Sequence, residues 1–163
     1  MTVPAAAGRL TTSSPDETRA LGAALGAAAL PGTVLAVVGP LGAGKTQLAK
    51  GVALGLEVPS VVNSPTFVLM NEHVGRLRLF HVDAYRLDDP EEALAAGILD
   101  ERQADGVTVV EWADRLDGWL PLHRLDLEIA LDPARAPDER VISWTAHGPA
   151  HATLAAGTLG EGG

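Results

Sequence analysis

The sequence contains no cysteine, which excludes a disulfide framework and a metal site built from thiolates. Positive charge is scarce too, because 12 Lys and Arg residues face 21 Asp and Glu residues and leave a formal net charge of −9. A protein that binds nucleic acid by itself needs a basic surface that displaces the counterions of the phosphates. We therefore expect any role on nucleic acid to depend on a partner that supplies the cationic surface.

Charged side chains are also missing between residues 20 and 44, a stretch long enough to cross a bilayer. Pro31 and Gly32 interrupt this stretch, however, and the opening Met1-Thr2-Val3-Pro4 lacks the basic cluster of a signal peptide. We therefore predict a cytoplasmic protein with no membrane association. A chain of 163 residues supports one domain with a proper core.

Residues 39–46 read Gly-Pro-Leu-Gly-Ala-Gly-Lys-Thr and match the Walker A pattern G-x-x-x-x-G-K-T. Glycines let the backbone curl so that successive amides face inward toward phosphate oxygens, and the lysine adds a point charge. The context agrees, since residues 33–38 are typical of a buried strand and residues 45–54 of a helix whose N-terminus favours anions. The sequence therefore predicts nucleotide binding by the following residues: Gly39, Leu41, Gly42, Ala43, Gly44, Lys45, Thr46 and Gln47.

Two acidic residues end predicted strands and are candidates to act with this loop. Mg²⁺ takes oxygen ligands and usually keeps waters that a carboxylate orients. Glu111, after a valine-rich run, is predicted to orient a metal-bound or attacking water, and Asp83 to share the metal shell or position that water. The alternative is that each acid only caps a helix or a turn after its strand. Trp112 is suited to stack on a base or on a partner, or simply to cover the sheet edge.

The chain divides into three predicted segments. Residues 1–12 are expected to be a flexible lead-in, residues 13–147 the P-loop domain, and residues 148–163 a flexible tail rich in Gly and Ala. A capping box at Ser14 and Glu17 predicts a helix from Pro15 to about Ala29. Further strands are predicted at 67–72, 77–83, 107–111, 124–131 and 140–146, and a short helix from Asp89 to Gly97.

Four motifs occur in order along the chain: G-x-L-G-A-G-K-T at 39–46, S-P-T-F at 64–67, H-x-D-x-Y-R at 81–86 and V-E-W at 110–112. Together they resemble the bacterial TsaE family, the small ATPase of tRNA threonylcarbamoyladenosine biosynthesis. The resemblance covers residues 14 to 131. Pro40, where the family often has an acid, and Gln47, where it often has a second threonine, depart from the pattern.

The resemblance implies a single-domain α/β fold of the P-loop NTPase type, with a central mixed β-sheet flanked by helices. It implies slow ATP hydrolysis with Mg²⁺ that is stimulated by two partner proteins, TsaD and TsaB, so that tRNA is reached only through the complex. In this family resemblance, Mg²⁺ would be bound by Thr46 and Glu111. Hydrolysis would be supported by Lys45, Asp83 and Glu111, and Trp112 would lie beside the nucleotide. Residues 64–66 would form a switch-like loop.

The expected function is therefore a Mg²⁺-dependent ATPase that supports the turnover of a TsaD–TsaB complex. Two alternatives remain open, a small-molecule phosphotransferase and a nucleotide-dependent binding module. Guanine specificity is unsupported, since neither the N/T-K-x-D nor the D-x-x-G motif of GTPases occurs in the sequence.

Overall fold

A computed structural model describes residues 5–40, 42–59, 70–85, 87, 89, 91 and 101–160. Within these ranges lie seven strands: β1 (Ala5–Thr12), β2 (Val34–Val38), β3 (Met70–Val74), β4 (Arg78–Asp83), β5 (Val107–Glu111), β6 (Arg124–Ala130) and β7 (Arg140–His147). The helices are α1 (Pro15–Ala28), α2 (Lys45–Gly55) and α3 (Pro149–Thr158). Two 3-10 turns, Glu101–Asp105 and Ala113–Leu116, flank β5.

All seven strands form one sheet with the order β1-β7-β6-β2-β5-β4-β3. The four central strands β6, β2, β5 and β4 are parallel, whereas β1, β7 and β3 pair antiparallel at the two sides. This confirms the predicted α/β fold with a mixed sheet. Because the central strands are parallel, the segments that follow β2, β5, β4 and β6 all emerge at one edge of the sheet.

The sheet separates two apolar layers. β2 and β5 lie in the middle as nearly continuous apolar runs, as expected for parallel strands covered on both faces. The larger layer joins residues of α1, α2 and α3, such as Leu25, Leu48 and Leu154, to one face of the sheet. The smaller layer on the opposite face includes Ala36, Val110 and residues of the Ala113–Leu116 turn.

α1 and α2 contact each other backbone to backbone. Each helix carries two glycines four residues apart, Gly22 and Gly26 on α1 and Gly51 and Gly55 on α2. A Cβ atom at any of the four would lie 2.0–2.2 Å from a carbonyl oxygen of the other helix. A larger residue at any of these positions would therefore push the two helices apart, and the glycines allow α2 to pack directly against α1.

The two ends of the chain differ from the sequence-based expectation. Residues 5–12, expected to be a flexible lead-in, form β1 because each of them pairs with a residue of β7. Residues 149–158, expected to belong to a flexible tail, form α3, which buries Leu154 and Ala155 in the larger apolar layer. Pairing and burial supply an order that the Ala- and Gly-rich sequence of these segments does not indicate.

Other predicted elements agree closely with the structure. The helix from Pro15 begins as expected, with the Ser14 hydroxyl accepting a hydrogen bond from the Glu17 amide at 3.1 Å. The Glu17 carboxylate, expected to bond Ser14, instead accepts from the amide of Ser13 at 2.6 Å.

Four predicted features lie outside the described residues: Leu41, residues 64–66, the start of the strand at 67–72 and most of the helix from Asp89 to Gly97. Within the described ranges, no helix is both long and apolar enough to span a bilayer.

Candidate nucleotide-binding site

The turn between β2 and α2 holds the Walker A residues (39–46, the phosphate loop) at the edge where the parallel strands end. Gly42 and Gly44 adopt φ angles of 80° and 109°, which residues with a Cβ atom rarely adopt. Gly39 lies tightly against β6, because a Cβ atom there would be 2.6 Å from the Ile129 oxygen. α2 begins at Lys45 without a side-chain cap, so its first amides are suited to bind an anion.

Lys45 is buried at the centre of this turn. Its Nζ donates hydrogen bonds to the carbonyl oxygens of Gly39 at 2.6 Å and Pro40 at 2.8 Å. The same ammonium lies 4.0 Å from the centroid of the Trp112 ring, a cation–π contact. Burial lowers the pKa of Lys45 from its usual value, and the negative charge of Glu111 acts in the opposite direction. The lysine thus brings a positive charge to the point where phosphate would bind.

Glu111 ends β5 and connects the sheet to α2. Its Oε1 accepts a hydrogen bond from the Thr46 hydroxyl at 2.9 Å, and its Oε2 contacts Nε2 of His81. His81 and Glu111 are both almost completely buried, and the alternation of β4 and β5 directs both side chains to the α2 face. The two predicted metal ligands, Thr46 and Glu111, are therefore direct neighbours.

Asp83 ends β4 and is the register partner of Glu111. Burial raises the pKa of Asp83 above its usual value, and the Glu111 charge acts in the same direction. The Tyr85 amide, which donates to Asp83 Oδ1 at 3.0 Å, acts against that rise. Two carboxyl groups with different surroundings thus meet beside the phosphate loop, an arrangement that favours proton transfer or the orientation of water.

A cleft of about 400 Å³ opens between these elements, within the range of ligand pockets. Nine described residues line it: Gly42, Gly44, Lys45, Thr46, Gln47, Asp83, Tyr85, Glu111 and Trp112. All of them except Tyr85 are residues that the sequence predicted for the site. Gly39 and Ala43 do not line the cleft, and they form the packed rear of the loop instead.

Trp112 and Tyr85 form an aromatic wall of the cleft. Their ring centroids are 4.8 Å apart, and the Arg115 guanidinium lies 5.9 Å from the Tyr85 ring. Trp112 has a φ angle of 58°, which is rare for a residue other than glycine. The indole lies beside the Walker A lysine, 4.0 Å from its Nζ, and the contact of Trp112 with a nucleotide stays a prediction.

Two side chains at this site were not assigned a role from the sequence, Tyr85 and His81. Tyr85 and His81 both belong to the H-x-D-x-Y-R motif. His81 and Asp83 are two residues apart on β4, so their side chains share one face of the strand, and this spacing could have identified His81. Tyr85 follows the end of β4, where no periodicity indicates the direction of a side chain.

The chain is similar in sequence and in fold to proteins of one family. A sequence model of the family described as "Threonylcarbamoyl adenosine biosynthesis protein TsaE" matches residues 12–141. A Bacillus subtilis protein named tRNA threonylcarbamoyladenosine biosynthesis protein TsaE is 43% identical over 138 residues, covering 84% of each chain. Its namesake from Mycobacterium leprae is 41% identical over 138 residues, covering 79% of this chain and 84% of that one. The crystal structure of Bacillus subtilis YdiB is similar with a TM-score of 0.72 and 34% identity, covering 93% of both chains.

Proposed function

The chain belongs to the TsaE family of tRNA threonylcarbamoyladenosine biosynthesis proteins, and from this premise we propose that it is the ATP-hydrolysing component of that machinery. In this proposal the protein binds ATP with Mg²⁺ in the cleft beside Trp112. It works in the cytoplasm with homologues of TsaD and TsaB and reaches tRNA only through them. The net charge of −9 supports the last point, because it disfavours direct contact with RNA phosphates.

The observation that carries the proposal is the hydrogen bond between Thr46 and Glu111. It joins the residue after the Walker A lysine to an acid at the end of a neighbouring strand. A hydroxyl and a carboxylate are oxygen donors, which Mg²⁺ prefers, so these side chains fit the ion. Bound there with ATP, Mg²⁺ would neutralise charge on the β- and γ-phosphates.

The remaining roles follow from position and charge. Lys45 would exchange its contacts with the Gly39 and Pro40 carbonyls for the phosphates, and the amides of the loop would bind phosphate oxygens. Asp83 is placed to orient the attacking water or to accept its proton, since burial already raises the pKa of its carboxyl. His81 would fix the orientation of the Glu111 carboxylate.

The proposal can be tested with Lys45→Ala and Glu111→Gln, measured by calorimetry for ATP binding and by phosphate release with and without TsaD and TsaB. Lys45→Ala should lose binding and hydrolysis, because the phosphate countercharge is removed. Glu111→Gln should lower the hydrolysis rate by about 100-fold or more while the protein still binds the nucleotide. Lys50→Ala is the matched control, because Lys50 lies on the same helix and does not line the cleft.

The same assays separate the alternatives. A phosphotransferase would release ADP only when a small acceptor molecule is added, and a binding module would bind ATP without turning it over even beside TsaD and TsaB. If wild-type protein and Lys45→Ala hydrolyse ATP at the same rate, the site is assigned incorrectly.

A further inference from the structure

One arginine outside the Walker motif links the phosphate loop to a neighbouring loop. Arg140 begins β7, and its guanidinium donates to four backbone carbonyl oxygens. Two belong to the phosphate loop, Ala43 at 3.0 Å and Gly42 at 3.4 Å. The other two belong to the segment before β7, Pro137 at 2.6 Å and Glu139 at 2.9 Å.

The topology explains why this arginine reaches the phosphate loop. β6 runs parallel to β2, so the segment 131–139 that follows β6 emerges at the same edge as the loop that follows β2. β7 then starts at that edge and returns antiparallel to β6. A residue at the first position of β7 therefore lies beside the rear of the phosphate loop.

The contact has a consequence for the amides that would face a phosphate. In a trans peptide the carbonyl oxygen and the following N–H point in opposite directions. A guanidinium that holds the Ala43 oxygen at the rear of the loop therefore turns the Gly44 amide the other way, toward the cleft that Gly44 lines. Arginine suits this task, because it is always charged and its fork of donors reaches several acceptors at once.

We propose that Arg140 is a positioning residue for nucleotide binding. From behind, it holds the phosphate loop in the conformation that directs the Gly44 amide to the phosphates. Arg140 does not line the cleft and so is not placed to touch the reacting atoms. The proposal rests on the proposed function, since it assumes that the loop binds ATP.

The test compares Arg140→Ala, Arg140→Lys and Arg135→Ala with the wild-type protein, by calorimetric titration with MgATP and by steady-state hydrolysis. Loss of a charged hydrogen-bond donor should raise the Kd and KM of Arg140→Ala for ATP by about tenfold or more. Its kcat at saturating ATP should stay within about twofold, because the reacting groups are unchanged. Arg140→Lys keeps the charge without the fork and should give an intermediate Kd.

Arg135→Ala is the matched control. Arg135 lies in the same exposed segment and pairs only with Asp132 and Glu139 among the ion pairs described there, so its removal should leave the Kd unchanged. A wild-type Kd in Arg140→Ala, or a fall in kcat at constant KM, would overturn the proposal. If Arg140→Ala does not fold, Arg140→Lys is the test variant, and a wild-type Kd for ATP in Arg140→Lys would likewise overturn the proposal. Failure of the wild-type protein itself to bind ATP would instead count against the proposed function.

Discussion

Because of the glycine contact between α1 and α2, we predict that Gly→Ala has opposite effects at two positions. It should lower the free energy of unfolding at Gly51 in α2 and raise it at Gly157 in α3. In most helix interiors, Gly→Ala raises stability by about 1 kcal/mol, because alanine has the better helix propensity. At Gly51 the new Cβ atom would lie 2.0 Å from the Arg19 oxygen and 2.9 Å from the Ala23 nitrogen. Both neighbours are backbone atoms, so no side chain can rotate away from the clash.

The size of the effect follows from this geometry. The helices would have to separate by about 1.4 Å to restore the ordinary contact distance of 3.4 Å, in an interior that is close-packed. Overpacking of this kind costs about 1–3 kcal/mol, and the backbone contact puts Gly51→Ala at the upper end. After the gain in helix propensity, we expect a net loss of about 2 kcal/mol in the free energy of unfolding. The melting temperature should fall by about 4–8 °C.

Gly157→Ala is the control, since Gly157 lies in α3 and nothing would be within 4 Å of its Cβ atom. It should raise the free energy of unfolding by up to about 1 kcal/mol. Urea unfolding followed by circular dichroism, with thermal melts beside it, measures both variants. A Gly51→Ala protein as stable as the wild type, or an equal loss of stability in both variants, would refute the clash between the two helices as the cause.

Three further predictions concern a helix cap, a buried histidine and the metal. Ser14→Ala should lower the free energy of unfolding in urea by about 1 kcal/mol, because the Glu17 amide loses its acceptor; an unchanged midpoint would contradict this. Burial lowers the pKa of His151, whose Nε2 accepts a hydrogen bond from the Val34 amide. The unfolded state therefore binds a proton on His151 more readily than the folded state. The free energy of unfolding should fall as the pH drops below about 6.5. His151→Gln should show a smaller fall in urea titrations between about pH 7.5 and 5.5, and an equal fall would rule out this histidine as a cause. Chelation of divalent metal with EDTA should stop ATP hydrolysis, and an unchanged rate of phosphate release would argue against a magnesium site.

Much of the central fold could be predicted from local signals. The Ser14 cap and Pro15 mark the start of α1, and the Walker A glycines separate an apolar strand from a helix. These signals are local because caps and tight turns depend on the residues that form them. β1 and α3 could not be predicted in this way. β1 is ordered by pairing with β7, which lies far away in sequence. α3 is ordered by packing Leu154 and Ala155 into the larger apolar layer, and no sequence pattern in this segment indicates that packing.

The candidate site shows the same division. The Walker pattern predicted the residues of the loop, and the ends of two strands predicted Asp83 and Glu111, which the sheet register brings together. Arg140 has no such signal, since its contact with Ala43 spans 97 positions of sequence and depends on where β7 begins. Sequence patterns therefore identify groups that face the cleft more readily than groups that support it from behind.

Trp112 adopts a left-handed backbone conformation, which a residue with a Cβ atom disfavours, so its surroundings outweigh its own conformational preference. A bulky residue in that region of conformational space costs roughly 1 kcal/mol or more, which glycine would avoid. The strain lies where the indole contacts the Lys45 ammonium on one side and Tyr85 on another. A glycine at this position would relax the backbone, but it would leave the ammonium without its aromatic neighbour.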